Sequence, residues 1–163
     1  MGQKQIQLEL REAVGEALLA EARALFLEYA KSLDFSLEFQ DFDAEVANLP
    51  GDYAPPRGRL LLALIDGAFA GCVAIRPQSG DAAEMKRLYV RPFARGLGLG
   101  RVLAKAAVQA ARELGYARLR LDTVGPSMQA AVALYLQLGF RDIEPYTKNP
   151  NPGTRFLELQ LKT

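Results

Sequence analysis

The segment RGLGLGR, residues 95–101, follows a run of strand-forming residues, Glu84–Val90, and precedes a run whose apolar residues recur at helical spacing. Its three glycines, Gly96, Gly98 and Gly100, let the backbone turn tightly and bring N–H groups close to a ligand. The first amides of a helix have no partner within the helix, and the helix dipole favours phosphate there. Seven basic residues and no acidic residue occur from Lys86 to Arg112. The segment therefore predicts an anion-binding loop between a strand and a helix.

Outward from this loop, the chain reads as one mixed α/β domain covering residues 1–163, in the order β-α-α-β-β-β-α-β-α-β-β. Asp66-Gly67, between two apolar runs, predicts a hairpin turn, Gly115 and Gly139 are placed to end helices, and Ser127 is a candidate N-cap. The predicted helices are Val14–Leu33, Asp41–Leu49, Gly100–Leu114 and Ser127–Leu138, and the predicted strands are Gln5–Leu10, Arg59–Ile65, Phe69–Ile75, Glu84–Val90, Ala117–Leu121, Arg141–Tyr146 and Arg155–Leu161.

Composition excludes several kinds of catalytic site. The chain has 163 residues, no histidine and one cysteine. It therefore has no Ser-His-Asp or Cys-His nucleophile system, no His-ligated metal and no internal disulfide. Cys72, in an apolar run, is expected to be a small buried hydrophobe. The chemistry must rest on carboxylates, Tyr, Lys, Arg, hydroxyls or backbone amides, with no metal.

Charge and hydropathy give no indication of a nucleic-acid or membrane partner. The net charge is +1, which provides no strong field for either. The longest apolar runs, such as Leu60–Ile65, are far shorter than the ~20 residues that span a bilayer, and no secretory signal is visible. A cytoplasmic location is the expectation.

Two phosphate-binding motifs fit the loop poorly. A P-loop ends in Gly-Lys-Ser/Thr, which this segment lacks. A dinucleotide-binding fingerprint needs a third glycine three residues after the second, where this chain has Arg101 or Leu103. Asp122 imitates the ribose-binding acid of that fingerprint, but the strands that follow look antiparallel. Dinucleotide binding is therefore the weaker alternative.

The loop resembles the acetyl-coenzyme A loop of the GNAT (GCN5-related) N-acetyltransferase superfamily, Q/R-x-x-G-x-G/A, as Arg95-x-x-Gly98-x-Gly100. The run Ala131–Phe140 (AVALYLQLGF) is similar to that superfamily's motif B, and the predicted element order matches its fold. The segment Glu84–Pro92 (EMKRLYVRP) looks like that of many small bacterial members without assigned substrates. Met128 departs from the pattern, since members often carry Asn there.

The resemblance implies acetyl-CoA as the acetyl donor and an amine, on a small molecule or a protein, as the acceptor. It implies that the backbone of the strand before the loop pairs with the pantetheine arm and that the loop amides hold the diphosphate. The implied cofactor-binding residues are Leu88, Tyr89, Val90, Arg95, Gly96, Leu97, Gly98, Leu99, Gly100 and Arg101. Tyr89 could face the ligand or the core. Members often dimerise, so the resemblance allows a homodimer.

The resemblance also implies two catalytic residues, Glu84 and Tyr135. Glu84 lies eleven residues before Arg95, where several members carry a glutamate base, and a carboxylate in a central strand is costly without a role or a partner. Its alternative role is a salt bridge with Lys86 or Arg87. Tyr135 falls on the motif B tyrosine that often protonates the leaving thiolate, and core packing is its alternative role.

The acceptor side is indicated only by composition. Residues 34–56 contain six acidic residues and no Lys or Arg, with Phe35, Phe39, Phe42 and Tyr53 interleaved. Such a wall would suit a cationic amine, although a solvated acidic surface over a small apolar cluster explains it equally well. An acetyl-CoA-dependent N-acetyltransferase is the leading hypothesis, and a non-catalytic acyl-CoA-binding sensor or interaction domain is the alternative.

Overall fold

The computed structural model describes residues 5–37, 41–125 and 128–161. Within them the elements follow the predicted order, which confirms the mixed α/β assignment. The helices are α1 (Glu16–Ser32), α2 (Phe42–Ala47), α3 (Leu99–Glu113) and α4 (Gln129–Gln137). The strands are β1 (Leu8–Glu12), β2 (Arg59–Ile65), β3 (Ala68–Ser79), β4 (Ala82–Val90), β5 (Arg118–Val124), β6 (Arg141–Asp142) and β7 (Thr154–Gln160). Ser127, the candidate N-cap, lies outside the described residues.

The strands form one sheet in the order β1-β2-β3-β4-β5-β7-β6. Every neighbouring pair is antiparallel except β4 and β5, which are parallel. A dinucleotide-binding fold is built on a mostly parallel sheet, so this topology argues against that alternative. The parallel pairing joins only Ala82–Glu84 to Arg118–Arg120. Beyond Glu84 the two central strands are unpaired with each other.

Helices cover both faces of the sheet. On one face α3 buries a stripe that includes Leu103 and Ala107, and Tyr135 of α4 belongs to the same core. The small alanines of α3 allow its backbone to lie close to β3 and β4. On the other face α1 buries Leu25 and Phe26 completely against the sheet. The central strands therefore lie between two hydrophobic cores, one on each face of the sheet. Packing on both faces holds β4 in position, including the part that does not pair with β5.

The residues predicted to form the hairpin turn and to end two helices do so in the structure. Asp66 and Gly67 both have positive φ, 50° and 83°, as a tight hairpin between β2 and β3 requires. Gly115 ends α3 with φ 88°, and the amide of Tyr116 closes the turn on the Ala111 carbonyl. Gly139 ends α4 in the same way, with φ 102°.

Four strands differ from the prediction by three or more residues at an end. β3 continues to Ser79 instead of ending at Ile75, and β5 continues to Val124 instead of ending at Leu121. β1 starts at Leu8 and pairs with β2 as an edge strand. All its residues are exposed, so the alternation of apolar and polar residues in this segment does not correspond to a buried face. β6 stops at Asp142 instead of reaching Tyr146. Pro145 has no N–H to continue a ladder, and the Tyr146 side chain is bound elsewhere, as described below.

Cys72 is a buried residue of the core on the α1 side. Its thiol donates to the Arg87 carbonyl at 3.2 Å, and burial raises the pKa of the thiol to about 12. The expected role as a small buried hydrophobe is confirmed. Among the described helices, none is long and apolar enough to cross a membrane.

Candidate active site

A cleft opens in the middle of the sheet where β4 and β5 separate. Its walls include Lys86 and Leu88 of β4, Asp122 and Val124 of β5, and Tyr135 of α4. The separation begins after the Glu84–Arg120 pair, because no later residue of β4 pairs with β5. The cleft therefore exposes one backbone edge of β4 while β3 occupies the other edge.

A bulge distorts β4 beside this cleft. Cys72 pairs with Tyr89 and Ala74 pairs with Lys86, so Val73 lies opposite two residues of β4. Arg87, one of the two, has φ 62°, which is unusual for a residue with a side chain. A bulge bends a strand and redirects its groups, and here it coincides with the start of the opening.

The Arg87 side chain anchors the bulge to α2. Its side chain is only 2% exposed, and its guanidinium donates to both oxygens of Glu45 at 2.8 and 3.0 Å. Phe42 packs against the guanidinium with its ring centroid 5.1 Å away. Glu45 also accepts the Tyr53 hydroxyl at 3.0 Å. The region after α1 is thus tied to β4 by a buried ion pair.

The glycine loop presents unpaired amides, as predicted. Gly96 and Gly98 have φ 81° and 78°, and Gly98 is the N-cap of α3 without a side-chain cap. The amides of residues 96–101 donate to no acceptor in the described parts of the chain, and the first helical bond runs from the Val102 amide to the Gly98 carbonyl at 3.2 Å. A run of free amides at a helix N-terminus fits a diphosphate group.

Side chains at both ends of the loop hold it in place. Arg95 donates from Nε to the Val90 carbonyl at 3.1 Å. Arg101 donates to the Gln137 side chain of α4 at 3.3 Å. The loop is thereby fixed to the end of β4 on one side and to α4 on the other.

The predicted backbone segment Leu88–Val90 begins in the cleft wall, at Leu88. Tyr89 and Val90 pair with Cys72 and Gly71 of β3, and neither pairs with β5. The Tyr89 ring packs into the core on the α1 side, against Tyr29. The question left by the sequence is thus resolved: the Tyr89 side chain faces the core.

Tyr135 lies in the cleft wall with 6% of its surface exposed. Its ring packs against Phe140, with centroids 5.7 Å apart. Burial raises the pKa of its phenol above the ordinary value of 10.0, so the hydroxyl keeps its proton at neutral pH. Within the described residues this hydroxyl has no hydrogen-bond partner. Both roles considered from the sequence, packing and a proton donor facing the cleft, are compatible with this placement.

Glu84 lies at the point where β4 and β5 separate, with 3% of its surface exposed. Arg76 Nε donates to Oε1 at 3.1 Å, Arg76 Nη2 lies 3.0 Å from the same oxygen in an ion pair, and the Tyr146 hydroxyl donates to Oε2 at 2.7 Å. The salt-bridge partner is therefore Arg76 of β3, and neither Lys86 nor Arg87 forms it. Burial and the Glu84 charge raise the pKa of Tyr146, so Tyr146 remains a donor.

Glu84 lines a second cavity, which we call the polar pocket, with a volume of about 350 Å³. Lys86 and Asp122 line both the cleft and the polar pocket, so the two spaces adjoin. The other lining residues of the polar pocket are Asp52, Arg76, Pro77, Gln78, Tyr146, Thr147 and Lys148.

The sequence did not single out the ion pair at this junction. The Lys86 ammonium lies 3.4 Å from Asp122 Oδ1, and both side chains are almost fully buried. Asn149 donates to the other oxygen, Oδ2, at 3.1 Å. Burial lowers the pKa of Lys86. The i, i+2 spacing of Glu84 and Lys86 places them on one face of β4, so the sequence could have indicated that Lys86 lies beside Glu84. No local pattern connects Asp122, Tyr146 or Asn149 to these two residues.

The acidic and aromatic residues after α1 are partly used inside the protein. Phe42 and Tyr53 are buried and contact the guanidinium groups of Arg87 and Arg76. Phe35 lines the cleft, while Glu38 and Phe39 lie outside the described residues. Over the described ranges, no group of three or more His, Cys, Asp or Glu side chains could hold a metal ion.

Comparisons with known proteins agree with this architecture. The model of the acetyltransferase (GNAT) family matches residues 15–140. An uncharacterized N-acetyltransferase of Schizosaccharomyces pombe is 41% identical over 145 residues, which cover 88% of this chain and 88% of that protein. A protein of Azospirillum brasilense named IAA acetyltransferase is 37% identical over 110 residues, or 66% of this chain and 71% of that protein.

Solved structures show the same fold. A GNAT-family acetyltransferase of Staphylococcus aureus superposes with a TM-score of 0.78 at 20% identity, covering 96% of this chain and 100% of that one. An acetyltransferase of Salmonella typhimurium solved with acetyl-CoA superposes with a TM-score of 0.68 at 20% identity, over 95% and 94% of the two chains. The fold, the extent of the family match and the relatives agree: this chain belongs to the GNAT family and is an acetyltransferase.

Proposed function

We propose that this protein transfers the acetyl group of acetyl-CoA to a primary amine by direct attack within a ternary complex. The observation that carries the proposal is the opening between β4 and β5, where the free edge of β4 and the Tyr135 side chain adjoin a polar pocket. A glycine loop with unpaired amides precedes α3. Members of this family acetylate amines of small molecules and of proteins, so an amine is the natural acceptor class.

The donor would bind along the cleft. The backbone at Leu88, Tyr89 and Val90, which does not pair with β5, is suited to accept an amide-containing arm as an added strand, although Arg95 already donates to the Val90 carbonyl. The free amides of Gly96, Leu97, Gly98, Leu99, Gly100 and Arg101 are suited to a diphosphate. The Arg95 amide is not among them, because it donates to the Pro92 carbonyl at 3.3 Å. Acetyl-CoA supplies a thioester whose carbonyl carbon is open to attack.

Glu84 is proposed to take the proton from the acceptor amine, directly or through water. An ionised carboxylate accepts up to about four hydrogen bonds, and Glu84 accepts two, from Arg76 Nε and the Tyr146 hydroxyl. Acceptor capacity is therefore left for an amine or a water molecule in the polar pocket. Arg76 and Tyr146 would hold the carboxylate in one orientation, which reduces the entropy lost during proton transfer.

Tyr135 is proposed to return a proton to the leaving thiolate. Its hydroxyl is protonated because burial raises the phenol pKa, and no partner in the described chain competes for its proton. A phenol that gains no hydrogen bond from the protein is free to donate to a group entering the cleft.

Two measurements test the proposal. Calorimetric titration with acetyl-CoA, with NAD as the control, examines the donor site. Release of the CoA thiol, measured with a panel of primary amines, examines transfer. Binding of acetyl-CoA together with amine-dependent thiol release would support the proposal. Binding without thiol release from any amine would favour a non-catalytic acyl-CoA-binding domain, and no binding would remove the loop assignment.

A further inference from the structure

We propose that the acceptor amine carries a carboxylate group, and that Lys86, Lys148 and Arg76 bind this carboxylate in the polar pocket. The inference rests on the acetyl transfer proposed above and narrows its substrate to a class. It predicts small zwitterionic acceptors of amino-acid type, in preference to polyamines and to protein amines.

The carboxylates of the polar pocket are largely occupied by internal donors. Both oxygens of Glu84 accept hydrogen bonds, from Arg76 and Tyr146. Both oxygens of Asp122 are also engaged, by Lys86 at 3.4 Å and by Asn149 at 3.1 Å. A purely cationic acceptor would therefore compete with cations already in place, and among the described lining residues only Asp52 offers an exposed carboxylate.

The cations, in contrast, have donors to spare. A lysine ammonium has three N–H donors and an arginine guanidinium has five. Lys86 has one contact with Asp122, at the long distance of 3.4 Å. Arg76 donates one hydrogen bond to Glu84, from Nε, and its Nη2 lies 3.0 Å from the same carboxylate oxygen. Its contact with Glu45 is 3.9 Å long. Lys148 is exposed at the pocket rim, without a partner in the described chain. These unused N–H donors would be satisfied by an anion with several hydrogen-bond acceptors, such as a carboxylate.

The state of Lys86 supports the same assignment. Burial lowers the pKa of Lys86, although the charges of Glu84 and Asp122 act to raise it. The two carboxylates thus leave the buried ammonium incompletely compensated. A further carboxylate beside it would accept its remaining N–H donors and replace solvation lost on burial.

The position of Lys86 connects carboxylate binding to the reaction. Lys86 and Asp122 line both the cleft and the polar pocket. A carboxylate bound near Lys86 would place an amine a few bonds away at the junction of the two spaces, next to Glu84. A volume of about 350 Å³ is suited to a molecule of amino-acid size. A protein N-terminus has no neighbouring carboxylate to place there.

The test compares matched acceptors in the thiol-release assay. Each free amino acid is paired with its α-amide and with the amine that lacks the carboxyl group. We expect kcat/KM at least tenfold higher for the free acid, mainly through a lower KM. The amide has the lower amine pKa and more free amine at neutral pH, so intrinsic reactivity works against this expectation.

Variants assign the effect to residues. Lys148→Glu, at an exposed position, should reverse the order of acid and amide, and Lys148→Ala should reduce the acid-to-amide ratio at least threefold. Lys86→Gln combined with Asp122→Asn removes both charges without leaving one buried and unpaired, and should also reduce the ratio. Arg11→Ala, on the exposed edge strand β1, is the charge-matched control and should leave the ratio unchanged.

The outcomes separate this inference from the proposed function. Thiol release with all three acceptor types at similar kcat/KM would overturn the inference while leaving acetyl transfer intact. A ratio that Lys148→Glu does not change would remove this pocket as its cause. If no amine releases thiol, the proposed function fails first and the substrate class fails with it.

Discussion

Replacement of Tyr135 by Phe isolates the proposed proton donor, because it removes one hydroxyl and retains the ring. The ring packs against Phe140, and the hydroxyl has no hydrogen-bond partner in the described chain, so the variant leaves no partner unsatisfied. We therefore expect the free energy of unfolding to change by less than about 1 kcal/mol. The catalytic effect should be far larger than the structural one.

The expected loss in kcat is about 100-fold. General acid–base catalysis contributes roughly 10²- to 10⁴-fold, and 100-fold corresponds to about 2.7 kcal/mol in the activation barrier. The lower end applies because burial raises the phenol pKa, which makes Tyr135 a weaker acid than an exposed phenol. The dissociation constant for acetyl-CoA should stay within about twofold, since the hydroxyl has no place in binding the arm or the diphosphate.

Tyr116→Phe is the matched control. Tyr116 is buried, and its hydroxyl donates to the Arg57 carbonyl at 2.6 Å, outside the residues that line the cleft. Its loss should lower the free energy of unfolding by about 1 kcal/mol and leave kcat unchanged. Thermal unfolding, acetyl-CoA titration and single-turnover thiol release are measured on both variants. A Tyr135→Phe enzyme that retains more than about a third of wild-type kcat would refute the assignment.

Three further predictions concern the ion pairs and the loop. Glu45→Gln should lower the free energy of unfolding, measured with urea, by about 3–5 kcal/mol, because the buried Arg87 would lose its ion pair with Glu45. Gly98→Ala should lower stability by about 1–2 kcal/mol, since Gly98 has φ 78°, and should also weaken acetyl-CoA binding measured by calorimetry. Hydrogen bonds from Arg91 lower the pKa of Glu28 below 4.5, so the stability it contributes is present above that pH and is lost as pH falls through the lowered pKa. Glu28→Gln should therefore flatten the acid side of the Tm–pH curve.

A glycine with positive φ outside the glycine loop provides the control for the Gly98→Ala variant. Gly80, in the turn between β3 and β4, has φ 55° and open space around a Cβ atom, as Gly98 has. Gly80→Ala should cost similar stability without changing acetyl-CoA affinity, and an equal loss of affinity in both variants would contradict a binding role for the loop. An unchanged urea midpoint in Glu45→Gln, or an unchanged acid limb in Glu28→Gln, would contradict the corresponding ion-pair argument.

Much of the fold is encoded in local sequence patterns. Local signals include the helical spacing in α3, the Asp66-Gly67 turn and the glycines that end α3 and α4. Each depends only on residues close together in the sequence, so it can be recognised without knowledge of tertiary contacts. The element order and the anion-binding loop follow from such signals. The limits of β1 and β6 do not, because the alternation in β1 marks an exposed edge and β6 ends where Tyr146 turns to bind Glu84.

The sequence by itself determined the element order, the glycine loop, the family resemblance and the candidates Glu84 and Tyr135. Only the tertiary structure decided which charges meet. Arg76 reaches Glu84, Glu45 reaches Arg87 and Lys86 reaches Asp122 across 8, 42 and 36 positions of the chain. The physical reason is that β4 pairs with β3 on one side and separates from β5 on the other. Side chains from distant segments therefore meet at one buried junction, and no local sequence pattern shows which charges pair there.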